Sequence, residues 1–321
     1  MTKQIIHDFH KLLAASIRIP HSYQRRSRGF ISELKFKQKC DKSKNIKHLD
    51  GGWIFFKGGR LAKEKKAVYV TTTFDNPYLY KVFYKKFSKC PIIKKLFFLK
   101  ITSFNKWKNK AEIKANNEDM LEIPEPIFEV YEFKKGKFAK SKLSSLLNFF
   151  PVIKKPLFYR IDTKSIAMLE YLNDFSEKEL ESLYCNRFIV DYLMKGRDLS
   201  YGMDFDGIII ENKKYFVVET KEKDPGPSNR TQLPKSEWFF GWDTLRMVWY
   251  LYLIKTTDIN CYSTILEIND QTQRKFVAWK RCELLKLCRS INYSSAISGG
   301  VGMGPSKGST TIAPYSVFKK F

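Results

Sequence analysis

From residue 176 onward the apolar positions fall into clear periods. Leu180, Leu183, Tyr184, Phe188 and Tyr192 recur at helical spacing, with Ser176 as N-cap, Glu179 completing a capping box and Gly196 as the stop. Asp204–Ile210 and Tyr215–Lys221 are apolar runs on either side of Glu211-Asn212-Lys213-Lys214, which predicts a hairpin of two strands. Trp242–Ile254 predicts an apolar helix, Cys261–Ile268 and Lys275–Trp279 two further strands, and Cys282–Arg289 a short helix. That succession implies an α/β fold: a mixed central sheet flanked by helices.

The first half is less legible and shows no internal repeat. Positive charges recur every two or three residues over Lys35–Lys47. Between Tyr78 and Lys110, Tyr80, Phe83, Tyr84, Phe87, Phe97, Phe98, Phe104 and Trp107 alternate irregularly with lysines. Pro124, Pro126, Pro151 and Pro156 cut the next stretch, which predicts strands and loops in place of long helices. A boundary is expected near residue 160. It separates a basic recognition region, 1–160, from a core with a C-terminal extension, 161–321.

Charge sharpens that division. Lys and Arg number 58 against 33 Asp and Glu, a net +25. Residues 1–160 hold 36 basic and 13 acidic residues, a balance of +23. Such an excess calls for a polyanionic partner, and interleaved lysines and aromatics suit nucleic-acid phosphates. Any single aromatic in that run is expected in the core and any single lysine in solvent. It is the density of the run that points to phosphate contact.

Several classes drop out. No apolar run approaches the ~20 residues that span a bilayer, and the N-terminus lacks an apolar signal-peptide region. Six scattered cysteines without a CxxC pair are expected as reduced thiols in a cytosolic protein. All four histidines lie in the first 48 residues, without a nuclease-like arrangement. The glycine-rich stretch ending Lys307-Gly308-Ser309 has the wrong order for a phosphate-binding loop.

The chemistry concentrates on the hairpin. A two-residue Asn212–Lys213 loop sets Asp206 opposite Glu219, and strand alternation puts Glu219 and Lys221 on one face with Thr220 on the other. Facing carboxylates repel unless a cation lies between them, and hard oxygen ligands suit Mg2+. Asp206, Glu219 and the Thr220 backbone carbonyl are the candidate metal ligands. Lys221 has the charge to orient or deprotonate a nearby water, and the set describes water attack on a phosphodiester.

Asp206, followed by Gly207, together with Glu219-Thr220-Lys221 resembles the catalytic motif of the PD-(D/E)XK nuclease superfamily. The resemblance covers roughly residues 165–290. Phe205 stands where the name-giving proline would be, a position that varies widely in the superfamily. The resemblance implies a restriction-endonuclease-like core, Mg2+ as cofactor, and Asp206, Glu219 and Lys221 as catalytic residues. It also implies a further acid from the preceding helix, for which Glu181 is the candidate; Asp204 is a candidate supporting acid. Asn229, Arg230, Gln232 and Lys235 follow the hairpin in a turn-rich loop positioned to touch DNA. Lys85, Lys86, Lys94 and Lys95 are candidates for phosphate contact, and Arg25, Arg26 and Arg28 for base contact.

A stand-alone chain with a basic segment beside such a core resembles a type II restriction endonuclease. That implies a hydrolase cutting double-stranded DNA at a specific sequence in the cytosol of a prokaryote, most simply as a homodimer on a palindromic site. A cognate DNA methyltransferase is expected in the same system without direct binding. The alternatives are another nuclease of the superfamily, acting in repair, transposition or junction cleavage, and a non-catalytic nucleic-acid-binding protein.

Overall fold

Ser176 caps its helix as its sequence predicts. Its hydroxyl accepts from the Glu179 N–H at 3.4 Å, and the Glu179 carboxylate accepts the Ser176 N–H at 2.8 Å. In the computed structural model, which describes residues 20–57, 65–105, 124–154, 174–227, 229–297 and 310–321 with Asp8, Phe9, Leu12 and Leu172, this is one element of an α/β fold. A mixed central sheet of ten strands is flanked by helices. The chain divides into two compact units, 1–34 with 50–204 and 35–49 with 205–321.

In the first unit lie most of helix α1 (Pro20–Asp41) and strand β1 (Ile46–Lys57), then β2 (Lys66–Thr73), α2 (Lys81–Phe87) and β3 (Ile93–Asn105). β4 (Glu125–Lys134), β5 (Lys137–Lys140), α3 (Leu143–Leu147) and α4 (Glu177–Phe188) follow. The order β1-β2-β3-β4-β5 is antiparallel except for the β2–β3 pair. β2 is buried from Ala67 to Thr73 on both faces, as a central strand with a parallel neighbour should be. The aromatic run has become core: Tyr80, Phe83, Tyr84, Phe87, Phe97 and Phe98 are buried, with Tyr69 and Phe87 rings 4.7 Å apart. Trp107 lies outside the described residues.

The units part at Asp204–Phe205, not near residue 160. Packing explains the difference. Leu180, Leu183, Tyr184 and Phe188 of α4 are buried with Phe9, Leu12, Phe30, Leu34 and Ile101, which ties that helix to the basic half of the sequence. Arg187 of α4 is a buried partner of Asp191, holding its carboxylate through two nitrogens at 2.9–3.0 Å. A turn of π-helix over Ile189–Leu193 follows, and Gly196 at φ +79° ends the segment.

The second unit is built on β6 (Tyr201–Glu211, from Phe205 on) and β7 (Lys214–Lys223). β8 (Phe239–Asp243), α5 (Thr244–Thr257), β9 (Asn260–Ile268), β10 (Phe276–Glu283) and α6 (Leu284–Ser290) come next, then β11 (Asn292–Ile297), β12 (Thr310–Pro314) and β13 (Lys319–Lys320). The order is β6-β7-β9-β10-β13, with β7–β9 parallel and the rest antiparallel; β11, β12 and β8 form a separate small sheet. Trp242 therefore belongs to a strand and not to the start of the helix. Pairing of Phe239–Asp243 with Thr310–Pro314, distant in sequence, outweighs its local helical pattern.

One face of β7 and β9 (Phe216, Val218, Tyr262, Leu266, Ile268) packs with Phe36 and Cys40. The other face carries Glu219, Lys221 and Lys223 of β7. All six cysteines are unbridged thiols and five are buried. Among the described residues no helix is long and apolar enough to cross a membrane.

Candidate active site

Asn212 and Lys213 both have positive φ, +50° and +63°, the geometry of a type I′ turn. That turn fixes the register. The β6–β7 ladder runs from Glu211–Lys214 to Gly207–Val218, one step short of Asp206 and Glu219. There the Asp206 carboxylate accepts the Thr220 N–H at 2.5 Å. Gly207 is required by close approach: a Cβ on it would come within 2.5 Å of His48 Nε2.

Asp204, Asp206 and Glu219 each present a carboxylate oxygen, and these three lie within 4.8 Å of one another. The Thr220 hydroxyl points to the opposite face, 2.9 Å from that of Thr264. Lys221 Nζ stands 2.5 Å from Glu219 Oε1; its side chain is 37% exposed, whereas that of Glu219 is 1% exposed. Burial pulls the Lys221 ammonium toward neutrality. The Glu219 and Asp206 carboxylates outweigh burial, and its pKa ends above the usual lysine value. Lys221 is placed beside Glu219, within reach of a water or phosphate oxygen at the same carboxylates.

α5 supplies two groups that the sequence did not single out. Arg246 donates to Glu219 Oε1, and the Tyr250 hydroxyl donates to Oε2 at 2.6 Å. They stand four residues apart, so one helix face meets one carboxylate. The signal was present: apart from Arg246 and Lys255 near its end, the helix carries no charge.

The donor set of three carboxylates is suitable for a hard divalent cation. Asp204, Asp206 and Glu219, with the Thr220 carbonyl, are the residues that would hold it. Glu219 already accepts from Arg246, Lys221 and Tyr250, which neutralises its charge in this arrangement.

Glu181 is on α4 and does not belong to this acidic group; burial and then Glu177 raise its pKa. Lys85 is exposed and Lys86 half-buried on α2; Lys94 is exposed and Lys95 half-buried on β3. Lys95 Nζ is 5.9 Å from the Phe97 ring centre and donates to the Ser145 carbonyl at 3.4 Å. Arg28 is half-buried on α1; the side chains of Arg25, Arg26 and Arg230 lie outside the described residues. Asn229, Gln232 and Lys235 are exposed in the loop after β7. Mutual backbone hydrogen bonds between Gly226 and Phe239 close that loop. Phe240 and Trp242 are core residues, 1% and 3% exposed.

No family model matches the chain, and no match was found among curated proteins or solved structures.

Proposed function

We propose that the chain is a type II site-specific deoxyribonuclease that hydrolyses phosphodiesters in double-stranded DNA with Mg2+. The observation that carries this reading is the hairpin. Three carboxylates converge within 4.8 Å at its open end, with the Lys221 ammonium 2.5 Å from one of them. The PD-(D/E)XK-like motif and the +25 charge support DNA as the substrate.

A bound divalent cation supplies charge neutralisation at the phosphate and makes water a better nucleophile at neutral pH. The chain's own contribution is positional. Thr220 N–H holds the Asp206 carboxylate; Arg246 and Tyr250 hold Glu219; Lys221 orients the attacking water or a phosphate oxygen. Site specificity, a homodimer on a palindromic target, a prokaryotic cytosol and a partner methyltransferase belong to the same proposal.

Plasmid DNA incubated with magnesium tests it. Discrete bands are expected, abolished by EDTA, and full activity in EDTA would overturn the metal mechanism. A smear would point to a non-specific nuclease of the same chemistry. One observation favours a second reading, a non-catalytic binding protein: the Glu219 carboxylate is fully satisfied by protein donors. Retarded but intact DNA in magnesium would establish that alternative.

A further inference from the structure

Lys223 follows Lys221 on the same face of β7, two residues nearer the strand's carboxyl end. Its ammonium lies 5.8 Å from the Trp242 ring centre, and the side chain is half-buried. Among the described residues no carboxylate forms an ion pair with it, because each nearby acid is engaged elsewhere. Glu219 is held by Lys221, Arg246 and Tyr250. Glu267, its register partner on β9, accepts from the Tyr315 hydroxyl at 2.9 Å and is 3.7 Å from Lys280 Nζ. Asp224 accepts from Gln271, Asp243 accepts the Arg246 N–H at 3.2 Å, and Glu222 pairs with Arg274.

A half-buried cation without a counter-ion is costly to the folded protein unless a ligand supplies the anion. Burial, and then repulsion from Lys221, pull its pKa down to about 8 against the attraction of Asp224, Glu219 and Asp243. Ligands in open α/β sheets bind beyond the carboxyl ends of the strands, and that is where Lys223 stands. Its backbone is about 6.6 Å from that of Lys221, given a rise of ~3.3 Å per residue, close to the separation of successive phosphates on one strand.

We propose that Lys223 is a substrate-binding residue that takes the backbone phosphate next to the scissile one, so that Lys221 and Lys223 read two consecutive phosphates of one DNA strand. This rests on the nuclease reading above. It adds a strand-tracking contact to the acidic hairpin and aligns the substrate strand with β7.

The test is equilibrium binding of a short mixed-sequence duplex in calcium across a salt series, for the full chain and for Lys223→Gln, Lys223→Met and Lys223→Arg. The neutral variants should bind about tenfold more weakly at moderate salt, since a charge-assisted contact is lost. Their dependence of log affinity on log salt should be shallower by about 0.9, and Lys223→Arg should restore the slope. Both neutral variants should melt at or above the wild-type temperature, because an uncompensated cation is removed. Wild-type affinity and slope in folded neutral variants would overturn the proposal. So would loss of folding in both, which would make Lys223 structural. Inorganic phosphate at matched ionic strength should compete with the duplex, and the competition should be relieved in Lys223→Gln; competition of equal strength in Lys223→Gln would overturn the proposal, because the phosphate would then bind elsewhere. A wild-type chain that neither retains nor cuts the duplex would instead bring down the nuclease reading itself, a result distinct from all of these.

Discussion

Glu219 is the most constrained residue of the site. It is buried, and three donors from two elements converge on it. Replacing Asp206, Glu219 or Lys221 by Ala is expected to lower cleavage by at least ~10³-fold while DNA retention persists. Wild-type turnover in any one of the three would remove that residue from the site. Tyr250 is a subtler case, because its hydroxyl donates to Glu219 from the next helix. Tyr250→Phe keeps the ring and its packing 5.7 Å from Phe205 but deletes one hydrogen bond to a charged acceptor. A loss of about 1.5–3 kcal/mol in the reacting state corresponds to roughly 10- to 160-fold in kcat. KM should change little if Tyr250 only orients Glu219, so a rise in KM with kcat unchanged would contradict that role.

At the scale of elements, the hairpin was the most legible part of the chain. Its register follows from a two-residue loop and a period-two pattern, both local, and the observed Gly207–Val218 pairing is the one they imply. The capping box of α4 was legible for the same reason. What escaped is non-local. Trp242 reads as the start of a helix until its pairing with Thr311, almost seventy residues on, is known. Arg246 and Tyr250 could be noticed as polar groups, but not aimed at Glu219, without knowing where α5 docks. The sequence alone makes Asp204 a supporting acid; the structure groups it with Asp206 and Glu219. The hairpin loop gives its own prediction. Lys213 sits at φ +63°, where a side chain costs about 1 kcal/mol and glycine does not. Lys213→Gly creates the favoured Asn-Gly turn and is expected to raise stability by up to ~1 kcal/mol, read as a higher denaturation midpoint with cleavage unchanged. A lower midpoint would show that Lys213 makes a stabilising contact that outweighs its backbone strain.

Across the whole molecule the dominant feature is the uneven charge, +23 of a net +25 within residues 1–160. The structure explains how so basic a sequence still folds: its aromatics are buried while Lys81, Lys85, Lys89 and Lys94 are exposed to solvent. Exposed lysines are hydrated point charges, suited to phosphates and indifferent to sequence. If they set the affinity for DNA, binding should fall by ~10³–10⁵ between about 50 and 200 mM salt, as expected for some six to ten neutralised phosphates. Lys85, Lys86, Lys94 and Lys95 are the group to remove. Lys95 contributes least on structural grounds, since its ammonium already meets the Ser145 carbonyl and the Phe97 ring. Changing all four to Gln should therefore remove about three contacts and make the slope of log affinity against log salt shallower by about 2.7. Specific and random duplexes should be weakened alike, because no base is read. An unchanged slope in the quadruple variant, with wild-type DNA binding still salt-dependent, would place the phosphate contacts elsewhere and leave this run as a solvated face over an aromatic core.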